Sequence, residues 1–267
     1  VPEVRPAGRG GVVPGSGDIP PGNRGHRPRR PGTGAGFAVQ VMKNPDSFRR
    51  IVAGIALLAW PLLEFLAFLA APPGKSHAPA VFRENATTVQ VSALLYLWAA
   101  LALIPVTFAL AHLLRSRAPR TSNVGATIGL IGSGHALTLF TTDFYDLALA
   151  QTLSDGQAEA VTARAGELWG FLFGMLLPAF LAHVGLFTLL IALAAVRITP
   201  RWVPVAAFAG TLVPFLAIDQ APAVQATGAL FHLAAYGWIA LRVLRMPDAE
   251  WSGKVGGEVT APLPARA

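Results

Sequence analysis

Cysteine is absent from the 267 residues, which excludes disulfides, thiolate metal sites, iron–sulfur clusters and cysteine nucleophiles. Charge is also scarce. Only 13% of residues are Asp, Glu, Lys or Arg, where a soluble domain carries roughly a quarter. Hydrophobic residues make up 53% of the chain, so the composition belongs to a multi-spanning membrane protein. There is no phosphate-binding glycine loop, no nucleophile triad, and no polar stretch between apolar runs long enough for a separate catalytic domain.

Six apolar stretches are present, at about 51–71, 91–114, 124–149, 168–196, 202–218 and 223–243. Each is near the roughly 20 residues that cross about 30 Å of hydrocarbon. The expected fold is therefore an all-α membrane protein, a bundle of six transmembrane helices. The fifth stretch is the shortest and contains Pro204 and Pro214. Pro61, Pro105 and Pro178 fall inside other spans, where each removes a backbone hydrogen bond and is expected to kink its helix.

Residues 1–41 hold ten Gly, seven Pro and six Arg, too little apolar surface to offset the entropy of ordering. Residues 1–42 thus read as a disordered tail, 43–247 as the membrane domain and 248–267 as a flexible C-terminal tail. Val1 at the start and Met42-Lys43 just before the first span leave a second reading, with residues 1–41 upstream of a natural start at Met42. The tail lacks the interleaved aromatics of a single-strand binder, so no nucleic-acid partner is expected. The lipid bilayer is the expected partner.

Loop charge sets the orientation. One set of flanks carries ten basic residues: Lys43, Arg49, Arg50, Arg115, Arg117, Arg120, Arg197, Arg201, Arg242 and Arg245. The opposite flanks carry Lys75, Arg83 and Arg164 beside Glu84, Asp155, Glu159, Glu167 and Asp219. The positive-inside rule then places both termini in the cytoplasm. The alanine-rich composition resembles that of bacterial inner-membrane proteins, making the plasma membrane the expected location. Small residues mark packing seams: Gly125, Gly129, Gly132 and Gly134 on the third span, and Gly166, Gly170 and Gly174 at the fourth. Such faces allow close helix approach, either between spans three and four or across a homo-oligomer.

The polar groups within the spans are the candidate site. The stretch from Gly125 to Ala150 is long enough to cross a bilayer, yet it holds His135, Asp143 and Asp146. At about 1.5 Å of rise per residue, Glu64 lies about 21 Å from the basic flank, His135 about 18 Å, His183 about 20 Å and His232 about 15 Å. Four ionisable groups from four spans are thus expected in one band near the bilayer centre, where such groups are costly and often functional. His135, Thr138, Thr142 and Asp146 share a helix face, which extends a polar track outward.

Four readings follow. Interhelical hydrogen bonding is an ordinary use of membrane His and explains any one of them structurally. A proton relay uses the same residue types, because His titrates near neutrality and burial moves carboxylates towards it. A redox protein is the third. Two His at equal depth can ligate b-type haem, and His135 with His183 meet that condition. The span count resembles that of the six-span b-type cytochromes, whose ligands come from the second with the fourth and the third with the fifth spans. Here the fifth span has no His. Within this redox and metal class, Glu64, His135, His183 and His232 also have the donor chemistry for zinc or iron, without an HExxH signature. Neither haem nor zinc is required by the sequence. The fourth is an intramembrane enzyme with Glu64 as a buried general acid beside Trp60, Phe65 and Phe68. The favoured expectation is a small proton-linked transporter or channel, with a membrane redox or metal-dependent enzyme as the alternative.

Overall fold

A computed structural model describes residues 44–72, 78–217 and 220–253, and among these the chain is all helix with no strand. The N-terminal tail, Lys43, Lys75, Asp219 and residues 254–267 lie outside the described residues.

The first helix, α1, spans Pro45–Ala70 and starts where the Asn44 side chain accepts the Asp46 amide at 3.1 Å. It stops just before Pro72-Pro73, because the residue ahead of a proline disfavours helical backbone. A short helix α2, Pro79–Glu84, precedes α3, Ala86–Leu114. Helix α4 is Pro119–Thr152 and α5 is Asp155–Gly166, the latter opened by a Ser154/Gln157 capping box. Helix α6, Trp169–Ala195, widens into a π-helical turn at Leu172–Leu176, just before Pro178. The extra residue per turn accommodates a proline that cannot donate to the turn before it. Helices α7, Trp202–Leu216, and α8, Pro222–Arg245, complete the bundle, and α9, Asp248–Ser252, follows.

Five of these, α1, α3, α4, α6 and α8, are long and apolar enough to cross a membrane. The protein is therefore a multi-pass membrane protein. Helix α7 is apolar but has 15 residues, about 22 Å at helical rise. Pro204 sits in its first turn, where no backbone donor is lost, and only Pro214 interrupts its interior. Packing follows chain order, α1 on α3, α3 on α4, α4 on α6, α6 on α7, α7 on α8 and α8 back on α1. The six close into a ring, with α3 also touching α6.

The seam between α4 and α6 is drawn tight by glycine. A Cβ at Gly132 would lie 1.8 Å from the Ala182 nitrogen, and one at Gly185 would lie 2.2 Å from the Gly129 nitrogen. The backbones are in contact there, as small-residue seams permit. The expected pairing of spans three and four is present, but Gly166, Gly170 and Gly174 take no part in it. A Cβ at any of these three would meet nothing within 4 Å. The seam uses Gly185 instead, because Gly166 lies on α5 and Gly170 and Gly174 face open space rather than α4.

Arginines tie the helix ends together at one end of the ring. Arg117 donates to the Val196 carbonyl at 2.9 Å, Arg242 to that of Ile198, and Arg50 to that of Leu244 at 2.6 Å. Residues 248–252, expected within a flexible tail, instead form α9 beneath this end. Asp248 accepts from Asn44, Ser47 and Arg50, while Trp251 is buried and stacks on His112 at 3.9 Å between ring centres. Arg115 donates to His112 Nδ1 at 2.6 Å, so the proton on His112 sits at Nε2 and is donated to the Trp251 carbonyl at 2.8 Å. At the opposite end α2 and α5 fill the two longest connections. Arg83 joins them, donating to the Ala150 carbonyl at 2.7 Å and to Asp155 at 2.7 Å.

Candidate functional site

The two ends of the ring differ in filling. Towards the arginines the interior is solid, with Leu57, Leu110, Leu186, Leu189, Leu190 and Ile239 all fully buried. Towards the other end lies a cavity of about 510 Å³. It extends from Ala71, Pro72, Phe82 and Gln225 at the rim down to Trp60, Glu64, Leu103 and His183. Its walls are mostly apolar, with several aromatic rings among them, and Tyr96 and Phe140 stack at 5.0 Å. Part of the wall is Leu176, Ala179 and Phe180, the residues that end and follow the π-helical turn of α6.

The floor of the cavity carries a buried acid–base pair. His232 Nδ1 lies 2.7 Å from Glu64 Oε2, joining α8 to its neighbour α1. The imidazole is 1% exposed and the carboxylate side chain 15%. His232 Nε2 lies 3.0 Å from the Ala207 carbonyl and 3.1 Å from Thr211 Oγ1, both on α7. Trp60 covers the ring at 4.8 Å between centres and meets Tyr236 edge-on at 4.4 Å. Space for the imidazole is made by Gly210, where a Cβ would sit 2.4 Å from His232 Cδ2.

The protons in this pair can be counted. A carbonyl oxygen only accepts, so the Nε2 contact with Ala207 requires a proton on Nε2. The short Nδ1···Oε2 contact holds a second proton between ring and carboxylate. Imidazolium with carboxylate and imidazole with carboxylic acid both satisfy this geometry, and both leave the pair uncharged overall. A net-neutral pair is what a low-dielectric setting tolerates. Thr211 permits one further state. Its hydroxyl donates to the Ala207 carbonyl at 3.3 Å, and by rotating it can donate to Nε2 instead. His232 can then lose the Nε2 proton, giving up its bond to the Ala207 carbonyl, with both ring nitrogens still hydrogen-bonded.

The other expected site residues divide into two groups. His183 and Asp143 line the same cavity as Glu64. His183 Nδ1 is buried with no hydrogen-bond partner. His135 and Asp146 are not among the lining residues. His135 donates from Nδ1 to the Ile131 carbonyl of its own helix at 2.8 Å. The hydroxyls of Thr138, Thr141 and Thr142 likewise bond back to carbonyls three residues earlier. Of the expected track along α4, only Thr142 reaches the cavity, with Asp143 beside it.

The expected match in depth between His135 and His183 does not hold. Gly132 meets Ala182 and Gly129 meets Gly185, which sets His183 level with Ile131 and His135 level with Ala179. The two His are about one turn, or about 6 Å, apart along the seam. The backbone contact between α4 and α6 leaves no width for a porphyrin between these two rings. Among the described residues, no three of His, Asp and Glu converge as metal ligands, so Glu64, His135, His183 and His232 do not form the expected metal set.

Gly210, Thr211 and Tyr236 belong to the site and went unmarked in the sequence. Comparison with known proteins finds no matching family model, curated protein or solved structure. The geometry alone carries the functional reading.

Proposed function

We propose that the protein is a proton-linked membrane transporter, in which the cavity receives a small solute and the Glu64–His232 pair exchanges a proton as the solute binds. The observation that carries this reading is the cavity that ends on a buried, proton-sharing pair. Ionisable groups placed so within a membrane are costly and are typically tied to ion or proton pathways. A cavity of about 510 Å³ falls within the roughly 300–1,000 Å³ of small-molecule sites. The π-helical turn and Pro178 put an irregular, deformable segment of α6 in the cavity wall. Solid packing at the arginine end supports a resting state accessible from the opposite side.

In this reading α7 is a short sixth crossing, and both ends of the described chain face the cytoplasm. The arginine end supports that orientation by the positive-inside rule, and the plasma membrane of a bacterium is the proposed location. Purified protein reconstituted on a solid-supported membrane, exposed to cationic, anionic and neutral solutes under a pH gradient, tests the proposal. Solute-dependent currents reversed by inverting the gradient, and lost in Glu64→Gln, are expected. Currents from no class of solute, or currents unchanged in Glu64→Gln, would overturn it.

A further inference from the structure

The cavity walls also define which solute fits. Glu64 and Asp143 are the charged groups among the described lining residues, and neither Lys nor Arg lines the cavity there. Aromatic rings line the same space, among them Trp60, Phe68, Tyr96, Phe140, Phe180 and Phe215. Aromatic faces attract cations and offer poor company to anions. Resting on the proton-exchange reading of this cavity, we infer that its ligand is a lipophilic organic monocation, bound against Glu64 in exchange for one proton.

The exchange follows from charge balance. With its two protons the Glu64–His232 pair is neutral, so a cation seated against Glu64 would meet no compensating charge from the pair. Release of the Nε2 proton corrects this. Nδ1–H continues to donate to Glu64 Oε2, Thr211 turns its hydroxyl to Nε2, and the carboxylate charge is left for the cation. One proton leaves as one monocation enters, and no bond in the ligand changes. Thr211 lines the cavity, so the departing proton has a hydroxyl beside it that faces the same space. The titratable and charged groups facing Glu64 are His232 and Tyr236 from α8, His183 from α6, Tyr96 from α3 and Asp143 from α4. Among the described lining residues α7 brings Thr211, Pro214 and Phe215, none of which titrates. His183 presents a further polar atom, its unpartnered Nδ1, beside the same floor.

Tetraphenylphosphonium and tetraphenylborate share a shape and differ in the sign of charge, so they separate charge selection from apolar partitioning. Binding of each to the full-length protein in detergent is measured by equilibrium dialysis, with released protons followed by an indicator dye at low buffer strength. Saturable phosphonium binding is expected, with release approaching about one proton per bound cation. Glu64→Gln should raise Kd about tenfold or more, and Glu64→Asp should retain binding should the Gln variant fail to fold. Thr211→Val should retain phosphonium binding but cut proton release. Equal saturable binding of the borate, absence of saturable phosphonium binding to folded protein, or full affinity in Glu64→Gln would each overturn the inference. Proton-coupled currents from an anion or neutral solute, with no phosphonium binding, would overturn the cation while leaving transport intact. Phosphonium binding without any coupled current would do the reverse.

Discussion

The arginine end of the bundle and the cavity end are built from the same six helices, yet one is filled and the other is hollow. At the filled end, Leu, Val and Ala side chains from α1, α3, α6, α7 and α8 interlock, and arginines satisfy the carbonyls that the helix ends leave free. At the hollow end, aromatic rings and small alanines line a space that none of them fills. Glu64 and His232 sit at the boundary. Packing quality and polar chemistry therefore change at the same level of the bundle, as expected if the filled half is a scaffold and the hollow half a site.

The largest expected effect tests the seam that joins both halves. Gly132→Leu would drive a side chain into the backbone of Ala182, so the folded protein should not be recovered from detergent. Gly134→Leu, two residues along and facing open space, should purify normally. Equal behaviour of the two variants on size exclusion would contradict the seam.

Next comes the boundary pair. Removing one partner of a buried ion pair leaves the other uncompensated, so His232→Ala should cost about 3–5 kcal/mol in reversible unfolding. His183→Ala removes a ring whose Nδ1 has no partner and should cost far less. If the two were equally damaging, the distinction between paired and unpaired His would be lost. Filling itself is then compared directly. Leu189→Ala at the solid end should cost about 2–5 kcal/mol. Leu139→Ala on the cavity wall, already facing space, should cost about 1 kcal/mol.

The smallest effect concerns α9. The Ser47 hydroxyl first, and then the Arg50 guanidinium, hold the Asp248 carboxyl below its ordinary 3.8. A depressed folded value means the contribution is fully present above pH 3.8 and is lost as pH falls through that lower value. Asp248 is about a third exposed, so Asp248→Asn should cost only about 0–1 kcal/mol at neutral pH. Trp251 fluorescence in a background lacking the other Trp residues should report release of α9 at acid pH, but not at pH 6.

The helices were legible because membrane spans need long apolar runs, and those runs are plain in the sequence. Depth was less so. The third span was expected to begin near 124, but α4 begins at Pro119, and its glycine seam displaces His135 by a turn relative to His183. Glu64 and His232 were recognisable as costly polar residues, whereas their pairing depends on which helices are neighbours. Gly210 and Thr211 are ordinary residues within an apolar run, so nothing distinguished them until the imidazole was seen against them. Trp251 lay in a stretch whose Gly and Pro content suggests disorder, yet its indole finds His112 and a buried position.

The most direct test uses the natural absence of cysteine, since any introduced thiol is the sole thiol in the chain. Leu139→Cys on the cavity wall and Leu189→Cys in the solid half are placed in right-side-out membranes. Both are then exposed to a charged, membrane-impermeant methanethiosulfonate reagent. A water-filled cavity above Glu64 predicts rapid labelling at 139 and none at 189 until the protein is unfolded. Labelling at both positions, or protection of both, would contradict a hollow half and a solid half, and with them the site.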